Sequence, residues 1–392
     1  MSHNFELRLI DLISDQAEQA LARQNKDGSM PSGCNGPYKN SETPVRNTAH
    51  WLMTFSYLYR SSRDQRYLDA AERLASYLAD PGRRPYNYSF HCRDGTTDHC
   101  NGVMGQAWAM EGLAEATRLF CDDRFAQIAL QVFYQHEFDH RHGLWLRLEP
   151  DGRVIGKDPT FNHQLWFAAS AAELLASVDE IDHPSLKRFM QKLNKSFAVL
   201  DNGHIRHGID HAIPGGTVKK LARPYVHAIS ATFRIKSLLE RIDRRQQNAL
   251  LREIGYQSFT IYAFARLARI FKQHPVFISK PFRHAMCYLE SQTFKREIRD
   301  NLYGYGYNAP GFEVPLCLSA FSSKNRPDIL QEARYWIESQ LSKTYNPETH
   351  RFDRNTDDPE SLSARIYECV RFPEDILALK VNYGATLSDP HR

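Results

Sequence analysis

Between Val103 and Leu113 the sequence places apolar or small residues on nearly every face of a helical wheel. A helix of that composition cannot lie half in water, so other elements must surround it. What leads into it is polar. Asp98-His99-Cys100-Asn101-Gly102 reads as a loop whose Asp98 and Asn101 suit the first helical turn, where free N–H groups favour a carboxylate.

The same arrangement recurs along the chain: a polar, aromatic loop, a small-residue inner helix, a short turn and an amphipathic outer helix with a charged face. Inner helices are expected to start near Asn47, Asn101, Asn162, Tyr256, Pro310 and Leu362, and outer ones to span 5–24, 64–79, 122–137, 184–199, 281–297 and 327–342. Neighbouring inner starts lie about 50 to 60 residues apart, except between Asn162 and Tyr256, where about 40 extra residues intervene. Residues 142–155 read as a hairpin about Asp151-Gly152, and 345–353 occupy the corresponding place later. Few other strand-like runs remain, which argues against a central α/β sheet. Six pairs with inner members apolar all round imply two concentric rings, because an open stack would expose its inner layer at both ends. The expectation is an all-α (α/α)6 toroid, a single domain over residues 1–392, with an insertion at about 201–250 over one mouth of the ring.

Charge narrows the partners. The net charge is only +4, and Lys and Arg are scattered apart from one short run at 241–245, so there is no electrostatic case for nucleic acid or a membrane surface. No apolar run approaches the ~20 residues of a membrane span and no basic leader precedes an apolar stretch, so a cytoplasmic protein is expected. Seven cysteines without a CxxC spacing read as reduced thiols. The absence of GxGxxG, GxxxxGK[ST] and GxSxG removes nucleotide-binding and nucleophile-elbow readings.

The repeat number, the Asp27-Gly28-Ser29-Met30-Pro31 turn ahead of the first inner helix, and the Asn101-Gly102…Ala107-Trp108-Ala109…Gly112-Leu113 helix together resemble the six-hairpin glycosidase-like superfamily. That group includes unsaturated glucuronyl and rhamnogalacturonyl hydrolases and, on a similar toroid, the N-acylglucosamine 2-epimerases. The resemblance spans nearly the whole chain and implies the toroid and action on carbohydrate, but none of its motifs is specific to one activity.

In a toroid the loops leading into the inner helices converge on one mouth, so their polar residues meet although distant in sequence. Glycosidic cleavage needs two carboxylates flanking the bond, and Asp98, Asp158 and Glu313 stand ahead of three different helices. Asp158, before Pro159, is equally a helix cap, whereas Glu313 sits in an apolar stretch where burial would raise its pKa as a general acid requires. Glu111, inside an apolar helix, is expected to pair with an arginine. His163 is the candidate imidazole acid or base, with His50, His99 and His227 at other inner starts as polar contacts. Arg46, Arg223 and Arg365 suit a carboxylated sugar. Trp108, Trp166, Tyr303, Tyr305 and Tyr307 offer rings for the C–H faces of sugars. His204, His207 and His211 read as an extended loop rather than a helix that would gather them on a metal, so neither metal nor other cofactor is expected. The leading expectation is a glycoside hydrolase acting on an oligosaccharide, uronic-acid-containing ones included. The alternatives are a sugar epimerase or isomerase using histidines, and a non-catalytic glycan-binding protein.

Overall fold

The computed structural model describes residues 5–95, 98–212 and 246–383. Outer helices α1 (Leu9–Leu21), α3 (Gln65–Ala79), α5 (Asp123–Gln135), α7 (Pro184–Ser196), α9 (Lys280–Leu289) with α10 (Gln292–Ile298), and α12 (Arg326–Thr344) surround an inner ring. The inner helices are α2 (Val45–Ser62), α4 (Gly102–Phe120), α6 (Phe161–Ser177), α8 (Gln257–Ile270), α11 (Pro310–Phe321) and α13 (Pro359–Ala364). Each inner helix packs on the next, and the sixth packs back on α2, which closes the ring. Burial follows the composition: α4 is buried from Gly102 to Thr117, whereas α3 buries only its Tyr67, Ala70, Ala71, Leu74, Ala75, Tyr77 and Leu78 stripe. Strand β1 (Phe5–Arg8) pairs antiparallel with β5 (Lys380–Tyr383), Leu7 opposite Val381, and so ties the two ends of the ring together.

The structure departs from the expected pattern in four places. Residues 5–8 begin as a strand before α1. The fifth outer helix breaks at Ser291, whose hydroxyl accepts from Phe294 N at 3.1 Å and caps α10. The 345–353 segment forms one bridge, Asn346 to Arg351, while the earlier hairpin is a three-stranded antiparallel sheet of β2 (Phe138–Asp139), β3 (Leu144–Leu148) and β4 (Val154–Lys157). The sixth inner helix, expected near Leu362, is only six residues long and continues as a 3-10 segment, Arg365–Arg371. Three residues per turn put Arg365, Glu368 and Arg371 on one face, and that face points into the ring. Residues 213–245, most of the expected insertion, lie outside the described residues; 246–255 are helical.

A repeated amide contact fixes the lead-in loops. Gln164 in the first turn of α6 accepts the Trp145 N–H at 2.9 Å and donates to the Trp145 carbonyl at 2.8 Å. Gln106 of α4 does the same for Phe90 at 2.7 and 3.0 Å. Gln257 of α8 accepts from Ile205 N at 2.9 Å and donates to the Gly203 carbonyl at 3.2 Å. All three side chains are fully buried, so each supplies the backbone pairing that a neighbouring strand would otherwise give. Gln164→Leu orphans a buried N–H and carbonyl and is expected to cost about 2–4 kcal/mol in urea unfolding; a loss below about 1 kcal/mol would mean the loop holds itself.

Candidate active site

A cavity of about 220 Å3 opens where the lead-in loops converge, lined by Asn35, Tyr38, Arg46, Arg93, Asn101, Met104, Trp108, Thr160, Asn162, His163, His207, Arg252, Tyr256, Phe259, Tyr307, Asn308 and Arg365. These residues come from the first, second, third, fourth, fifth and sixth inner helices or their loops, so every repeat contributes. Among the described residues, no carboxylate lines it.

Carboxylates stand behind the wall. Asp158 is buried, and its Oδ2 accepts from His163 Nδ1 at 2.9 Å and from Val103 N at 3.0 Å, while Oδ1 accepts from Thr160 N at 3.0 Å. Burial alone would raise its pKa, but His163 and the backbone donors outweigh that and hold it at about 2. With Nδ1 engaged, His163 has Nε2 free to serve the cavity. Gly102 makes this packing possible: its φ is +59° and a Cβ there would lie 2.2 Å from Asp158 Oδ2 and 2.8 Å from His163 Nδ1. Asn101, at φ 54°, completes the left-handed lead-in to α4. Across the cavity, burial pushes His207 down to about 3, and the charges of His163 and Arg252 push the same way, so its imidazole is neutral.

On the floor, Arg46 is paired with Glu42 at 3.2 Å and lies 4.4 Å over the Trp108 ring. His50 stacks on Tyr367 at 4.0 Å one turn below, outside the cavity lining, and burial together with four arginines keeps it neutral. Arg365 meets Glu313 and Glu368, both fully buried. Along another wall a chain of hydroxyls runs from Tyr38 to Tyr256 at 3.2 Å, on to Tyr307 at 3.2 Å, and ends on Asn35 Oδ1 at 2.9 Å.

Of the residues singled out from sequence, Arg46, Trp108, His163, Tyr307 and Arg365 reach the cavity, and Asp158 and Glu313 lie one contact behind it. Asp98 too stands one contact behind, on the cavity-lining Arg93 at 2.8 Å, but it also accepts from Gly102 N at 3.3 Å and has Arg147 at 3.7 Å, the surroundings of a helix cap. His99 is half exposed, its ring edge-on to His91 at 5.5 Å. Trp166 is buried away from the cavity, stacked on Phe259 at 4.4 Å with its indole N–H on the Phe259 carbonyl. Tyr305 packs under Trp336, and Tyr303 supports Tyr38 and Tyr256 from behind. Arg223 and His227 lie outside the described residues. His204 is buried against Tyr288 with Nε2 3.5 Å from Glu297, whereas His207 turns to the cavity. Glu111 pairs with two arginines, Arg266 at 3.2 Å and Arg371 at 2.6 Å. Asn35 and Tyr38 escaped the sequence reading because they stand well ahead of α2, and Arg252 because it lies in the irregular repeat before α8.

This closed ring of hairpins with a polar mouth is an (α/α)6 toroid. Among solved structures, D-mannose isomerase matches with a TM-score of 0.63 at 11% identity, covering 93% of this chain and 97% of that one. An unsaturated glucuronyl hydrolase specific for heparin matches with a TM-score of 0.56 at 11% identity, covering 93% and 95%. Sugar epimerases and α-1,6-mannanases share the same fold. No protein-family profile matches the chain. In sequence it is 37% identical over 369 residues to archaeal glycosylation protein Q of Haloferax volcanii, covering 93% of this chain and 98% of that protein. The chain belongs to the archaeal glycosylation protein Q family.

Asp158, held low when folded, adds stability above the ordinary aspartate range near pH 4, and that stability is lost as pH falls towards 2. Asp158→Asn is expected to cost on the order of 2–3 kcal/mol at neutral pH, and the difference from wild type should shrink through this acid window in urea titrations. A difference independent of pH would show that the carboxylate charge is not what His163 and the α4 N-terminus hold.

Proposed function

We propose that the protein is a sugar isomerase or epimerase, with His163 as the proton carrier and an acidic sugar as substrate. The observation that supports this best is the composition of the cavity wall: among the described residues two imidazoles, His163 and His207, reach it, together with arginines, and no carboxylate does. The imidazoles are unequal. His163 has its Nδ1 fixed on buried Asp158 while its ring lines the cavity, so Nε2 can take a proton from a carbon next to a carbonyl. His207, neutral, can only polarise that carbonyl by donating an N–H. Moving one proton on a single base suits transfer between neighbouring carbons, the chemistry of isomerisation. Arg46, Arg252 and Arg365 would attract the carboxylate of the sugar, and Trp108 and Tyr307 would carry its C–H face and hydroxyls.

A glycoside hydrolase would need two carboxylates facing the bond; Asp158 and Glu313 are each one contact away, so this reading requires His163 or Arg365 to move aside. The test is incubation in deuterated water with free aldohexoses and hexuronates, followed by NMR. Deuterium is expected at the carbon beside the carbonyl of one of them, and His163→Ala should slow the exchange by roughly 10²–10⁴-fold. Release of new reducing ends from an oligosaccharide without C–H exchange, abolished by Asp158→Asn or Glu313→Gln, would establish the hydrolase instead. A protein that binds sugar and does neither would be the non-catalytic form.

A further inference from the structure

Arg365 lies on the cavity wall, and behind it two carboxylates converge on one guanidinium nitrogen. Its Nη2 contacts Glu313 Oε1 from α11, and Glu368 Oε1 from the next turn of its own 3-10 segment at 2.7 Å. The three side chains are 3%, 0% and 0% exposed, so water screens none of them. Cations facing the triad from neighbouring elements already have acids of their own. Arg46 on α2 is held by Glu42, with Asp358 also acting on it. Deeper in the ring, Arg371 of the 3-10 segment and Arg266 of α8 are both shared by Glu111 of α4 and Glu173 of α6.

The remaining groups against the triad are neutral. His50 on α2 is uncharged. From α8, Ser258 donates to Glu313 Oε2 at 2.5 Å and Tyr262 donates to the Glu368 main-chain carbonyl at 2.9 Å. The Cys317 thiol of α11 donates to the Glu313 carbonyl, and Tyr367 and Cys369 flank Glu368 in the chain. Glu368 Oε2 is buried and takes no hydrogen bond from any of the described residues. Two ionised acids on one cation would leave an unbalanced negative charge in a dry interior, with one oxygen lacking any donor. Such a site relieves itself by binding a proton.

We propose that Glu313 and Glu368 hold one proton between them across Arg365, so that the cavity wall rests on a neutral triad whose deprotonation at alkaline pH unsettles it. The inference stands whichever reaction the cavity performs. Burial pushes both carboxyls up, and the charge of Glu313 adds to it at Glu368, which lies well above the usual carboxylate range; acids this close on one cation titrate as a pair. The folded protein therefore keeps a proton that the unfolded chain releases near the ordinary glutamate range, and stability falls as pH climbs from there through the folded value.

Infrared difference spectra of protein carrying isotope-labelled glutamate test this without any ligand. A carboxylic-acid carbonyl band is expected at neutral pH and should be lost on alkaline titration. Because the proton is shared, glutamine at either position leaves the remaining acid free to ionise against Arg365, so Glu313→Gln and Glu368→Gln should each abolish the band. In urea unfolding, Glu368→Gln should gain on wild type as pH rises. A wild-type spectrum without the acid band, or a stability difference that does not change with pH, overturns the proposal. Should either variant fail to fold, the wild-type band and its titration still decide the matter.

Discussion

Guanidinium groups buried inside a ring of helices have no water to hold them, so each needs a carboxylate placed beside it. The interior is arranged around that need. Arg46 leans on Glu42, Arg365 on Glu313 and Glu368, and Arg266 and Arg371 on Glu111 and Glu173. The pairs of Arg365, Arg266 and Arg371 link α4, α6, α8, α11 and the 3-10 segment, five of the six members of the inner ring, while Arg46 is held by the lead-in of its own helix. A toroid of purely apolar helices would have no reason to present arginines at its mouth; this one carries a charged column from its floor up to the cavity wall. The 3-10 geometry of Arg365–Arg371 makes the column continuous, because residues three apart eclipse one another.

The architecture was legible because burial on every side is written in composition. Val103 to Leu113 has nowhere to go but the inside of a second layer, and the same signature six times over leaves a closed double ring as the solution. Helix starts followed from the polar lead-ins, and the observed starts of α2, α4, α6, α8 and α11 fall within a few residues of Asn47, Asn101, Asn162, Tyr256 and Pro310. The 3-10 turn of the sixth member was not legible, since Arg365-Ile366-Tyr367-Glu368 carries no local signal against an α-helix. The Gln106, Gln164 and Gln257 contacts went unread too, although the three glutamines recur in the first turns of successive inner helices.

The site was legible only in part, and for a consistent reason. Position ahead of an inner helix brings a residue to the mouth but does not say which way its side chain turns. Asp98, Asp158 and His163 all stand in such positions, yet only His163 faces the cavity, while Asp158 turns back to the α4 N-terminus and Asp98 to Arg93. Trp166 and Tyr305 are aromatic residues at helical and loop positions that pack inward, as large rings do when a core is within reach. Arg252 was hidden because its helix belongs to the irregular repeat between Asn162 and Tyr256. A carboxylate count alone pointed to hydrolysis; the orientation of those carboxylates favours proton transfer by imidazole.

The most direct test of that account is a crystal structure with an acyclic sugar acid or polyol bound in the cavity. The account predicts a carbon next to the oxygenated terminal carbon within about 3–3.5 Å of His163 Nε2, the distance of a near-attack geometry, with His207 against the neighbouring oxygen and Asp158 still bonded to Nδ1. A ligand seated away from His163, with Asp158 or Glu313 turned out to face it, would contradict it.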